Sequence, residues 1–291
     1  MLFACGADAR SQGQAPVHTS TAFAQWPMPN SAGLGLPNEQ SYQVLGAGDE
    51  QTVLDRVTEL EWQRTLDEGA YSWSAAISFC EQLSYATFDD WRLPTRIELV
   101  SLLDLSRTNP ALELQAFPSG SSQWFWTASN DAADAAKAWY VYFYFGYPDV
   151  DDRSVENRVR CVRGGAATPD AAHYELAPDW SRDTRTGLTW ERVVSEQTFD
   201  VAGAASYCAA LQLAEKVGFR LPTMKELETL VDERRAQPAI DPEAFPNTPT
   251  ESFWSSSAWS GTTDLNWYVR FDSGSALYEL SKERFRVRCV R

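Results

Sequence analysis

Histidine is almost missing from this sequence. Only His18 and His173 occur in 291 residues, and neither falls inside the matching blocks of the repeat described below, the first of which in the second copy begins at Asp183. A Ser-His-Asp or Cys-His site needs a histidine within a domain, so both are excluded, and His-rich zinc sites go with them. Long apolar runs are also lacking. No stretch reaches the roughly 18 apolar residues that a membrane-spanning helix requires. Positive charge is scarce, with 25 Lys and Arg against 40 Asp and Glu, a net charge of −15 and a pI near 4.6. Such a field repels polyanions and excludes nucleic acid as a partner. No phosphate-binding loop is present. Of the common catalytic chemistries, paired carboxylates remain the easiest to build from what is abundant.

Aromatic residues are plentiful, at 13% of the chain with 12 Trp. Trp and Tyr supply rigid, amphipathic contact area, which suits dense small cores or ligand surfaces. The length is a prior for about two domains.

The chain repeats itself at a shift of 128 residues, which carries Asp55 onto Asp183. The segment Asp55 to Trp62 (DRVTELEW) falls on Asp183 to Trp190 (DTRTGLTW), and Cys80 on Cys208. Arg92-Leu93-Pro94-Thr95 falls on Arg220-Leu221-Pro222-Thr223, and Asn109 to Pro118 on Gln237 to Pro246. Trp126 meets Trp254, Trp139-Tyr140-Val141 meets Trp267-Tyr268-Val269, and Val159 to Arg163 (VRCVR) recurs as Val287 to Arg291. The shift never changes, so residues 42–163 and 172–291 are two copies of one domain. A solenoid would have a shorter period. Residues 1–41, rich in small and polar residues without periodicity, read as a flexible leader. Residues 164–171, beginning GGAATP, read as a linker. Each copy is expected to fold by itself.

Apolar spacing predicts a first helix over Ser74–Leu83, repeated over Val201–Leu211 with Asp200 as its cap. Thr95-Arg96-Ile97-Glu98 and Thr223-Met224-Lys225-Glu226 are capping boxes that open a second helix in each copy. Leu99, Leu102 and Leu103, with Leu227, Leu230 and Val231, are expected to face the core. Strict alternation over Trp139–Phe145 (WYVYFYF) predicts a strand with Tyr140, Tyr142 and Tyr144 on one face. Two helices followed by short strands, expected to form one small, mostly antiparallel sheet, make each copy α+β.

Each copy carries one cysteine on its first helix and one on its last strand. That arrangement, repeated at constant shift, favours intradomain disulfides Cys80–Cys161 and Cys208–Cys289 over four reduced core cysteines. Closing a loop of about 80 residues contributes at most roughly 4–5 kcal/mol in the chain-entropy view, and an oxidising compartment follows. The fifth cysteine, in Leu2-Phe3-Ala4-Cys5-Gly6, resembles the end of a bacterial lipoprotein signal. It makes Cys5 a candidate for lipidation and the leader a tether.

In combination these motifs resemble the Lcl C-terminal domain family, named for the legionella collagen-like adhesin. The second copy carries its pattern nearly whole: DTRTGLTW, Tyr207-Cys208, Phe219 to Leu227 (FRLPTMKEL), Phe245-Pro246, Phe253 to Ser257 (FWSSS), Trp267 to Phe271 and Val287 to Arg291. The first copy departs at Glu59, where the family prefers glycine, and at Trp126 to Ser129 (WTAS). The resemblance implies two tandem domains akin to C-type lectins and the formylglycine-generating enzyme, exported or surface-attached. Its named member is an adhesin for sulfated polysaccharides. It implies no catalytic residue set. The calcium tripeptide of true C-type lectins is not present, since Phe245-Pro246-Asn247 lacks the carboxylate.

The tyrosines Tyr140, Tyr142, Tyr144 and Tyr147 are candidates for stacking on sugar rings. The alternative is that both faces of their strand are buried. The loop Pro148 to Asp152 offers Asp149, Asp151 and Asp152 as oxygen ligands for calcium, the one cofactor considered, or forms a plain solvated turn. Arg160, Arg163, Arg288 and Arg291 are expected to pair with acids on neighbouring strands, and Trp62 and Trp190 to be core. The expected function is an exported surface module, an outer-membrane or cell-surface lipoprotein or a secreted protein, that binds an extracellular polysaccharide or a surface protein without catalysis. It would touch a membrane only through a lipid on Cys5. A carboxylate-based glycan enzyme and a structural subunit of a surface assembly are the alternatives. The negative charge favours a neutral polymer, or an anionic one bridged by calcium.

Overall fold

A computed structural model describes residues 24, 26–119, 122–165, 173–262 and 264–291. The first copy runs β1 (Tyr42–Leu45), β2 (Thr52–Asp55), β3 (Glu61–Gln63), α1 (Trp73–Glu81), α2 (Arg96–Ser101), β4 (Trp124–Asn130), β5 (Lys137–Tyr142), β6 (Tyr147–Asp152) and β7 (Val162–Arg163). The second repeats the order as β8 (Tyr174–Leu176), β9 (Trp180–Asp183), β10 (Thr189–Glu191), α3 (Val201–Ala210), α4 (Met224–Glu228), β11 (Ser252–Ala258), β12 (Leu265–Arg270) and β13 (Ala276–Leu280). Instead of the single small sheet expected, each copy holds two antiparallel ones. These are β1-β2-β3-β7 and β4-β5-β6 in the first copy, β10-β9-β8 and β11-β12-β13 in the second.

Local chemistry fixes the helices. Both capping boxes form: Thr95 Oγ1 accepts from Glu98 N and Thr223 Oγ1 from Glu226 N, while each glutamate accepts from its threonine's backbone N–H at 2.8 Å. Asp200 caps α3 by accepting from Gly203 N. Cys80 is bonded to Cys161 and Cys208 to Cys289. Each disulfide sits in a small satellite core of its own copy, under α1 or α3. Trp62 and Trp190 are fully buried, as expected.

The main core belongs to neither copy alone. One hydrophobic cluster joins Ile97, Leu99 and Leu103 of the first copy to Met224, Leu227 and Val231 of the second, with α2 packed against α4. The two copies are therefore joined through shared core, in addition to the satellite core that each holds by itself. The described end of the leader is not a free tether, because Trp26 and Met28 lie in that same cluster. Gln40 Nε2 also donates to the Leu103 carbonyl at 3.0 Å. Two large apolar side chains in a polar stretch leave no periodicity, so composition alone reads such a segment as disordered. Cys5, residues 166–171 of the linker and residue 172 fall outside the described residues.

Charged side chains are buried where the copies meet. Arg96, with no exposure, pairs with Glu228 and, at 3.1 Å, with Glu233, and lies over the Trp139 ring. Lys225 Nζ crosses the other way, donating to the Ser101 and Leu103 carbonyls at 2.9 and 2.8 Å. The positions matching Arg96 and Glu228 in the opposite copies are Met224 and Val100. One guanidinium cannot hold two buried carboxylates ionised, so burial pushes Glu228 up to about 7 and raises Glu233 as well. Burial brings Lys225 down to about 7.

The turn between β2 and β3 explains the first copy's departure at Glu59. This residue has φ +59°, and its counterpart Gly187 has φ +75°. A side chain in the left-handed region is strained, whereas glycine is not.

Four outcomes follow for stability. Arg96→Ala, which strands two buried carboxyls, is expected to cost about 3–5 kcal/mol in urea unfolding. Arg96→Met combined with Glu228→Val is expected to recover most of that loss. Glu59→Gly is expected to raise stability by about 1 kcal/mol, measured the same way. For Glu228 the folded pKa lies above the unfolded value of 4.5. Its contribution is thus fully present below pH 4.5 and is lost as pH rises towards 7. Wild type should accordingly lose ground to Glu228→Gln across that window in a pH series of urea midpoints.

Candidate functional site

The structure divides the tyrosine stripe. Tyr140, on β5, is 8% exposed and packs into the first copy's satellite core with Trp126 and the disulfide. It is core and not a ligand platform. The strand ends at Tyr142, earlier than alternation predicts, because the chain turns over Phe143–Gly146. Gly146 closes that turn with φ +94°, its N–H donating to the Tyr142 carbonyl at 2.8 Å. A Cβ there would lie 2.9 Å from Ala111 Cβ. Gly274 holds the matching turn at φ +91°, so the repeated glycine was the signal for the strand's end.

Tyr142, Tyr144 and Tyr147 are half-buried and gather at this turn. Trp124, which the sequence reading missed, joins them. It opens β4 directly opposite Tyr142, and Tyr147 opens β6 on the other side of the same residue. The Trp124 and Tyr142 rings stack 4.7 Å apart and within 8° of parallel. Tyr142 and Tyr144 stack at 5.9 Å, and Tyr147 meets Tyr142 edge-on at 5.6 Å. Phe145, also missed, stands edge-on to Tyr144 at 4.6 Å. Cross-strand pairs of this kind stabilise the sheet, yet Trp124 keeps 44% of its surface exposed. Among the described residues it is the only Trp, Tyr or Phe counted as exposed. A large aromatic left that open on a chain with many buried tryptophans offers a ring to a ligand.

The Tyr142 and Tyr147 phenols stay neutral at ordinary pH. Burial raises Tyr142, with Tyr144 adding to it, and burial followed by the nearby Asp149 carries Tyr147 up to about 12. They present hydroxyls and ring faces. In the second copy the positions of Trp124, Tyr142 and Tyr144 hold Ser252, Arg270 and Asp272. Arg270 there pairs with Asp272, leaving no matching stack.

The acidic candidates lie on β6 and not in a loop. Asp149 accepts from Ser275 Oγ at 2.9 Å, and Asp152 accepts from Ser154 N and Oγ. Alternation along the strand separates Asp152 from Asp149 and Asp151. Among the described residues no group of three acidic, histidine or cysteine side chains is gathered around a cation position.

Of the terminal-strand arginines, Arg163 pairs with Glu61 and Asp90 as expected. Arg160 and Arg288 correct that expectation. Both are buried and donate to backbone carbonyls, Arg160 to Gln63 and Arg288 to Glu191 and Arg192. They lie 4.8 and 4.7 Å from the centres of the Phe117 and Phe245 rings, and burial lowers them to about 9 and about 10. Arg291 is exposed, and only its backbone pairs, with Thr189.

A cavity of about 570 Å³ opens between Leu34 and Leu36, Leu105, and Ala205 and Ala209 of α3. Arg220, the one charged side chain in its wall, is held by both Glu226 oxygens at 2.7 and 2.6 Å. The cavity presents hydrocarbon and hydroxyls without acid–base chemistry. No described helix is long and apolar enough to cross a membrane.

No curated protein matches the chain. The sequence pattern of the Lcl C-terminal domain matches residues 51–163 and again 180–291, most of the chain and both copies. The chain belongs to the Lcl C-terminal domain family, as a tandem pair.

Proposed function

We propose that this protein is an exported surface-adhesion module that binds an extracellular polysaccharide through the stacked aromatic surface of its first copy. The observation that carries the reading is the exposed Trp124 ring stacked on Tyr142, with Tyr144 beside it. Sugar rings have apolar faces that lie on aromatic rings, and the neutral phenols add hydrogen bonds at the edges. Family membership, with an adhesin as namesake, supports the same direction. Two long-range disulfides favour an oxidising compartment, hence export, and a lipid on Cys5 is the proposed anchor. The disulfide joining the first helix to the closing segment of each copy, with two helices per copy, supports a C-type-lectin-like architecture.

We take the module to bind and not to catalyse. Glu228 and Glu233, the closest approach to a catalytic carboxyl pair, are sealed between the copies at 0% and 7% exposure, where no substrate reaches them. Binding is expected to proceed without calcium, given the scattered aspartates of β6.

Replacing Trp124 and Tyr144 together with alanine is expected to abolish retention on immobilised polysaccharide. The thermal midpoint should move by no more than a few degrees, the shift produced by about 1 kcal/mol. Retention unchanged in the double variant would reject the site.

A further inference from the structure

The aromatic surface does not stop at the boundary of the first copy. Phe145 lies 6.2 Å from Tyr278 and 6.2 Å from Trp259, both in the second copy. Trp259 and Tyr278 stack on each other at 5.2 Å and 28°. Both are half-buried, like the tyrosines of the first copy. The rings therefore form a continuous line, Trp124 to Tyr142 to Tyr144 to Phe145 to Tyr278 to Trp259. Each centre lies between 4.6 and 6.2 Å from the next. Every step falls within the range of ordinary aromatic contact. Ser275 Oγ, bonded to Asp149 across the copies, ties β6 to the turn leading into β13 beside this line.

Comparison of the two copies shows that the line is not a by-product of the repeat. Trp124, Tyr142, Tyr144 and Phe145 correspond to Ser252, Arg270, Asp272 and Ser273. Trp259 and Tyr278 correspond to Asp131 and Val150. No residue of the line has an aromatic counterpart. The two copies contribute from non-equivalent positions, and the contributions meet at one place.

We propose that this line is a single binding site completed by the second copy, with Trp259 and Tyr278 as its far end. Its occupant is a neutral glycan chain several sugar units long. The inference rests on the binding reading of Trp124 and Tyr144 and extends it. Length follows from the succession of rings, since each step is comparable to one sugar ring. Neutrality follows from charge. Asp149 and Asp151 continue from Tyr147 along β6, and the nearby Arg270 is already paired with Asp272. A sulfated or uronic chain would meet carboxylates here.

The test is calorimetric titration of the full chain. The probes are neutral gluco-, manno-, galacto- and xylo-oligosaccharides, each as disaccharide and hexasaccharide, beside a sulfated hexasaccharide. Wild type is expected to bind a neutral hexasaccharide more tightly than its disaccharide. Trp259→Ala and Tyr278→Val are each expected to weaken the hexasaccharide about tenfold, the effect of losing one stacked ring, and to leave the disaccharide unchanged. Trp259→Phe should restore most of that affinity, which separates a lost ring contact from a damaged fold. If Trp124→Ala abolishes binding while Trp259→Ala and Tyr278→Val bind the hexasaccharide like wild type, the second copy takes no part and the extension is overturned alone. If Trp124→Ala and Tyr144→Ala leave binding intact, or no neutral glycan binds, the underlying reading falls and the extension falls with it. Preference for the sulfated chain would overturn the neutral ligand.

Discussion

Arg96 occupies the first helical position of α2 with no contact to solvent, and the carboxylates that answer its charge belong to the other copy. A charge in such a place is tolerated only while its partners are held against it. The rest of the molecule depends on that condition. Lys225 reaches back to carbonyls at the end of α2, α2 packs on α4, and the leucines of both helices merge into one core. Hydrophobic contact alone would let two similar helices slide or rotate. An arginine facing two glutamates on one side, and valine and methionine at the matching positions, admits one arrangement.

Duplication makes this possible. A domain and its copy begin with the same surface and can meet about a pseudo-twofold axis. Once joined, the two halves no longer need the same residues. Here the interface became charged in unlike ways on its two sides, and the aromatics collected at one end of the seam. The satellite cores stayed alike, each with its disulfide, its first helix and a buried tryptophan, Trp126 or Trp254. The divided roles fit the division of cores. Each satellite core holds one copy together, and the central core holds the copies to each other.

What was legible in the sequence was what is local or repeated. The capping boxes depend on four consecutive residues, so Thr95 with Glu98 and Thr223 with Glu226 could be read directly. The disulfides were legible because the repeat sorted four cysteines into two equivalent pairs. The association of the copies was hidden, because nothing local distinguishes Arg96, Lys225 and Glu228 from charged residues on a solvated helix face. Nothing in the spacing of a charged residue says that its partner lies more than a hundred positions away. Arg160 and Arg288 misled in the same way, since backbone carbonyls and ring faces satisfy them and leave no mark in composition. The aromatic surface was half visible. Tyr142, Tyr144 and Tyr147 stood out as a stripe, but strand alternation also implicated Tyr140, which lies farther along β5 from the turn and is buried in the satellite core beside Trp126. Trp124 and Phe145 required knowledge of which strands pair and where they bend.

The central claim is that two homologous copies form one cooperative body, and differential scanning calorimetry of the full chain tests it most directly. A single shared core predicts one transition whose calorimetric and van't Hoff enthalpies agree. Two separable transitions, or a calorimetric enthalpy about twice the van't Hoff value, would mean that the copies unfold independently and would contradict the account.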